Sequence, residues 1–435
     1  MVTEPRYYRA LDGIFQDSNF DIKVLVNFMA MQYLMDHSDF IGGVTKDITK
    51  LINSKNFVLR KKDYDEAKLG CVGTAQGYMP YGTGYIYISN MTDKDRHDIV
   101  TDVTTQVNYV IEEFLGNVDT ISWMTPDGRT SVRNKAAGLI KNIAYPYWFE
   151  FNSTKRLDEY HEYYSGLESV TDYFDLLEKL SVANQKTENL GKLIMGKVDR
   201  QNFQDSPATV NAWYEPTLNS ITIPRAALNE PYYRLDFPQA YNYAGNGGTI
   251  GHEFTHGFDS DGVQYAGEGQ LAPCNYQFCT ILDGSSSSGF LNMSQCVISQ
   301  YNEQCCPLKS GSIHCTNGVN TQGENIADIG GQYAAYKAYR KWIKKNNGGK
   351  EEDLLPGKMQ MFTGNQIFWI TYGFSWCMNQ ETSNLAHQLL TNEHAPGSCR
   401  VNQVMQDLPE FAEDFNCKPK ATLNPDDDQR CHVWR

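Results

Sequence analysis

The chain has 435 residues, 41% of them hydrophobic and 21% charged, enough for two or three domains around a large buried core. A formal net charge of −14 speaks against a nucleic-acid partner. No run of roughly 18 apolar residues occurs, so the sequence predicts no membrane-spanning helix, and Met1–Arg6 opens without a hydrophobic signal segment.

In chain order, Phe20–Asp36 is a strongly apolar stretch that predicts a helix. Val103, Val107, Val110, Ile111 and Phe114 recur at helical spacing and predict an amphipathic helix over Asp102–Gly116. Leu176–Met195 is a further helical candidate. Asn211–Tyr214 and Ser220–Ile223 read as two short strands joined by a turn at Glu215–Asn219. Leu271–Gly318 is rich in cysteine and serine and reads as a loop-rich insertion held by disulfides. A helix over Glu324–Lys345 ends in Lys344, Lys345 and the stop Gly348-Gly349. No internal repeat is present.

The chemistry sits in Gly251-His252-Glu253-Phe254-Thr255-His256-Gly257, an HExxH motif. Two histidines four apart share a helix face, about 40° apart around the axis. Both imidazoles can reach one zinc ion, with the carboxylate of Glu253 beside a water on that metal. A two-histidine site needs a third protein ligand. Glu324, in Glu324-Asn325-Ile326-Ala327-Asp328, is the candidate, and Asp328 follows it by one helical turn. Asp259 and Asp328 are placed to accept the outer N–H of a ligating imidazole and so set its tautomer. Zinc brings the pKa of a bound water near 7, within reach of Glu253 as general base. His394 can donate to a developing oxyanion, and Arg400 offers a planar fork to a carbonyl. The run beginning at Asn211 can accept an extended peptide by strand addition.

These segments resemble the neprilysin family of zinc metallopeptidases, which includes the endothelin-converting enzymes. The resemblance is carried by Asn211-Ala212-Trp213-Tyr214, Gly251–Asp259, Gly323–Gly331, His394-Ala395-Pro396-Gly397 followed by Arg400, and Cys431-His432-Val433-Trp434. Weaker similarity runs through Cys71, Trp123-Met124, Ala144-Tyr145-Pro146 and Lys197-Val198-Asp199. The resemblance implies one zinc ion per chain on His252, His256 and Glu324. It gives Glu253 and His394 catalytic roles and makes Asp259 and Asp328 the outer carboxylates. Asn211, Ala212, Arg400, Tyr232 and Trp376 would contact a peptide substrate. It implies a mainly α fold, with an all-helical lid over residues 1–195 and a thermolysin-like zincin domain with a small β-sheet over 196–435, carrying a Cys-rich insertion at about 271–318. The expected function is zinc-dependent endopeptidase action on small peptides; the alternative is an inactive or truncated binding protein.

Eleven cysteines and sequons at Asn90, Asn152 and Asn292 suggest an oxidising, extracellular or cell-surface setting. Family members carry a membrane anchor and further ectodomain before the point matching this start, so the sequence reads as a fragment or shortened product. By the resemblance, Cys296 pairs with Cys431, while Cys71, Cys377 and Cys417 pair with cysteines in the missing segment. Cys274, Cys279, Cys305, Cys306, Cys315 and Cys399 lie outside the usual pattern and could form three extra bridges. Gly248 and Thr249 stand where the family has bulky apolar residues lining the pocket for the residue after the cleaved bond. A weakened hydrophobic preference, or a larger or more polar side chain, is expected there. Cys399 stands beside Arg400 where an aromatic is usual, and a bridge there would shift the arginine.

Overall fold

The computed structural model describes residues 5–17, 20–36, 65–190, 198–274, 279–303, 305–307 and 313–435. The chain divides into two compact units, one of Met1–Thr74 with Tyr164–Ala183, the other of Ala75–Tyr163 with Asn184–Arg435. In the first unit the described elements are helical. They include Pro5–Gln16, Ile22–Asp36 and Tyr173–Asn184. The apolar stretch from Phe20 is thus a helix from Ile22, and Tyr33 Oη donates to Glu178 at 2.9 Å. The candidate Leu176–Met195 is helical to Asn184 and continues as a π turn to Leu190; 191–197 lie outside the described residues.

The second unit departs from the boundary expected near Gly196. Residues 75–163, read from the sequence as lid, belong to the same unit as the HExxH segment. Two contacts explain this. Helix Asp93–Val118 buries the predicted stripe Val103, Val107, Val110, Ile111 and Phe114. Phe114 then packs its ring on Phe254, Phe258 and Trp434 at 5.0, 5.2 and 5.6 Å. Strand β1 (Ile140–Ala144) pairs in parallel with β3 (Ser220–Pro224), from Ile140 opposite Ser220 to Ala144 opposite Pro224. No local pattern in residues 75–163 announces either partner, because both lie far along the chain.

Strand β2 (Trp213–Glu215) pairs antiparallel with β3, giving the order β1-β3-β2 and leaving β2 at the edge. Asn211 and Ala212 precede this edge strand. The insertion expected to be loop-rich contains a helix, Gly284–Glu303. Its buried face is Phe290, Met293, Val297 and Tyr301, spacings of three and four, and Asp283 caps it by accepting from the N–H groups of Ser285 and Ser286. Serines and glycines between those positions diluted the periodicity. The rest of the insertion holds a small pairing of β4 (Cys305–Pro307) with β5 (Ile313–Cys315).

Cys296, on this helix, is bonded to Cys431, and Cys274 to Cys279. Cys315 is also disulfide-bonded. Cys399 is buried within helix Gly397–Asp407, while Cys71 and Cys377 are exposed and Cys417 half-buried. No helix among the described residues is long and apolar enough to cross a membrane.

Candidate active site

The HExxH motif lies on a helix, Gly248–His256, entered through a π turn at Tyr243–Gly247. Glu324 and Asp328 lie on the long helix Gly318–Asn346, capped by Asn317 and finished by Lys344 and Lys345 at its negative end. The two helices touch through glycine. A Cβ on Gly251 would come 2.3 Å from the carbonyl of Gly331, and one on Gly331 would come 2.4 Å from the backbone of Gly251. Only hydrogen fits at this crossing, and the close approach brings the imidazoles to the carboxylates.

His252 Nε2 and His256 Nε2 are 2.9 Å apart. The Glu324 carboxylate faces both, at 3.3 Å from His252 and 3.4 Å from His256. The outer nitrogens are held by the two predicted carboxylates: His252 Nδ1 lies 2.9 Å from Asp328 and His256 Nδ1 2.7 Å from Asp259. Each Nδ1–H is thereby directed outward, leaving each Nε2 lone pair for a cation. Asp259 is fixed in turn by the backbone N–H groups of Asp261 and Gly262.

Electrostatics point the same way. Burial opposes charge on His252, yet the hydrogen bonds to Asp328 and Glu324 outweigh it and hold its pKa up at about 10. His256 is raised against burial and its neighbour His252 by Asp259. Burial would raise Glu324, but His252, His256 and Arg400 push it well below the usual carboxylate range. The space between the rings therefore favours positive charge, and two imidazole nitrogens with one carboxylate are a donor set suited to zinc. Glu253 is buried beside them, and burial raises its pKa. That shift suits a group that must accept a proton near neutrality.

Arg400 is buried and sits over Trp376, its guanidinium carbon 4.0 Å from the ring centroid. Its Nε and one terminal nitrogen bind Asp328 at 2.5 and 2.7 Å. The arginine thus pins the carboxylate that orients His252, a link the sequence did not reveal. His394, half-buried, sets Nδ1 3.0 Å from Asn392 Oδ1 and Nε2 3.2 Å from Glu324. Burial, reinforced by Arg400, lowers its pKa while Glu324 opposes.

One cavity of about 690 Å³ is lined by both HExxH histidines, Glu253, Asp259, Glu324, Asp328, His394 and Arg400 together with Asn211, Ala212, Tyr232 and Trp376. The structure brings every predicted site residue to this cavity except the disulfide pair Cys296 and Cys431, which ties the helix Gly284–Glu303 to the chain's end. Sequence reasoning missed three neighbours. Gln332 continues the i, i+4 series from Glu324 and Asp328, a signal that was available. Asn246 sits on the π turn and gave no signal. Lys135 is buried, donates to the Gly262 carbonyl at 2.5 Å, and has its pKa pushed down to about 7 by burial, partly opposed by Asp259.

Comparison with known proteins now decides the family. Residues 211–431 and 1–146 match models described as peptidase family M13. The chain belongs to peptidase family M13. Neprilysin-1 of Caenorhabditis elegans is 32% identical over 435 residues, covering 100% of this chain and 54% of that protein. Human neprilysin is 29% identical with coverage of 100% and 54%. Among solved structures, a Haemonchus galactose-containing glycoprotein complex superposes with a TM-score of 0.72 at 38% identity, covering 94% of this chain and 61% of that one. A Mycobacterium tuberculosis zinc metalloprotease, Zmp1, with inhibitor gives 0.67 at 26% identity, over 83% and 50%. The chain spans about half the length of these curated relatives. The mainly helical fold with a small sheet is the thermolysin-like architecture expected.

Proposed function

We propose that this chain is a zinc-dependent endopeptidase acting on small peptides. The observation that carries the reading is the meeting of His252, His256, Glu324 and Glu253 at one cavity, with both outer imidazole nitrogens fixed by carboxylates. His252, His256 and Glu324 would hold the zinc, which when bound supplies Lewis acidity and a water ready to lose its proton near neutral pH. The remaining work belongs to the chain. The edge strand β2 and the preceding Asn211 and Ala212 line the cavity and offer main-chain groups to an extended peptide. Glu253 accepts a proton from the attacking water and returns it to the leaving amine. His394, once protonated on both ring nitrogens with Nδ1–H held by Asn392 Oδ1, donates from Nε2 to the oxygen on which negative charge develops. Arg400, seated over Trp376, has one terminal nitrogen without a hydrogen-bond partner among the described residues, available for a substrate carbonyl.

Bridges at Cys274–Cys279 and Cys296–Cys431 and the exposure of Asn90, Asn152 and Asn292 support a glycosylated extracellular or cell-surface setting. Cys71 and Cys377, both exposed, and half-buried Cys417 are placed to pair with cysteines outside this sequence. The deciding experiment is hydrolysis of short peptides by the 435-residue protein, with and without a chelator, beside Glu253→Gln. Chelator-sensitive cleavage that the variant lacks supports the reading. Cleavage by both at equal rate removes Glu253 as base, and no cleavage by zinc-loaded protein leaves only peptide binding.

A further inference from the structure

The end of the cavity next to Gly248 carries hydrogen-bond acceptors that the proposed chemistry does not use. Gly248 lies one turn before His252, about 6 Å along the helix, so this wall flanks the bond to be cut. A Cβ at Gly248 would come 2.3 Å from Gln332 Oε1. The missing side chain makes room for the carboxamide. Gln332 is 2% exposed, and its Nε2 points to the Ala244 carbonyl at 3.5 Å. Its Oε1 has no hydrogen-bond partner among the described residues.

Asn246, also 2% exposed and on the same wall, is oriented by a relay. The Asp102 carboxylate accepts from Tyr233 Oη and from Gln106 Nε2, each at 2.8 Å. A carboxylate has no proton to give, so Gln106 must turn its NH2 toward it. Gln106 Oε1 then faces Asn246 and takes a hydrogen bond from its Nδ2 at 2.9 Å. Asn246 Oδ1 is left as the outward atom, again without a partner among the described residues. Neither oxygen is fully occluded, so both open to the cavity, where a donor on a bound peptide can meet them.

We infer that Gln332 and Asn246 are specificity-determining residues that select a peptide whose side chain beside the scissile bond donates hydrogen bonds, a carboxamide or an ammonium, over an aliphatic one. This rests on the proposed peptidase reading for the placing of the peptide. The test is therefore binding rather than turnover. Peptides identical except for Gln, Lys or Leu on one side of the central bond, and a second series on the other side, are titrated by calorimetry into zinc-loaded Glu253→Gln protein. In one series the Gln or Lys peptide binds about ten-fold tighter than the Leu peptide, the scale of one buried hydrogen bond. Adding Gln332→Leu brings that ratio to about one or below. Should that variant not fold by circular dichroism, Gln332→Glu serves instead and raises the Lys-to-Leu ratio. Tighter binding of Leu in both series, or ratios that neither variant moves, overturns the inference. Selective binding without cleavage by the unsubstituted protein would overturn the peptidase reading and leave this one standing.

Discussion

The two ends of the cavity solve opposite problems. At the histidine end charge is met by charge: His252 by Asp328, His256 by Asp259, Asp328 in turn by Arg400. At the Gly248 end neutral carboxamides face the space, and Gln332 Oε1 and Asn246 Oδ1 lack protein partners among the described residues. Paired charges hold rigid geometry in a low-dielectric site, which suits groups that must not move. Unpaired acceptors leave binding energy for a substrate to collect. The same helices build both ends, so the contrast lies in side-chain chemistry rather than in backbone.

Four experiments break or sharpen that contrast. The largest effect is expected from Glu253→Gln, which should lower kcat by about 10² to 10⁴ while metal content by elemental analysis stays at one per chain. Equal turnover would place the base elsewhere. Next, Asp328→Ala strips Arg400 of its bidentate partner and His252 of its orienting acceptor. Leaving that buried guanidinium with only the longer contact to Glu324 should cost up to about 3–5 kcal/mol in denaturant unfolding, and zinc affinity should fall about 10- to 100-fold. A loss confined to affinity would show that the pairing serves the metal alone. Gly251→Ala forces a methyl onto the Gly331 carbonyl, which should cost about 1–3 kcal/mol and weaken zinc binding by parting the helices. An unchanged melting curve would show that the crossing is loose.

The smallest effect concerns Lys135. Burial holds its folded pKa down to about 7 against an ordinary 10.5. Between those values the unfolded chain binds the extra proton, so stability rises with pH across that window and is lower below pH 7. Lys135→Met should flatten this rise in urea titrations between pH 7 and 9. A slope unchanged by the substitution would show that Lys135 stays charged in the fold.

Much of the site was legible because it is written locally. His252, Glu253 and His256 share one turn-spaced motif, and Glu324 with Asp328 repeats the spacing. The stripe on helix Asp93–Val118 was equally plain. The helix Gly284–Glu303 was missed although Phe290, Met293, Val297 and Tyr301 follow helical spacing, because serine and glycine lower its propensity and tertiary burial overrides that. The compact units differ from the division drawn near Gly196 for another reason. Pairing of Ile140–Ala144 with Ser220–Pro224 joins segments far apart in the chain, and periodicity carries no information about a partner.

Residue order alone points to the candidate ligand set, the candidate base and their helices, since these depend on spacing within a turn. Which carboxylate meets Arg400, how Gln106 turns Asn246 and why position 248 has no side chain were decided only by packing. Each depends on atoms brought within about 3 Å by long-range contacts, and hydrogen-bond direction is fixed only once every neighbour is in place.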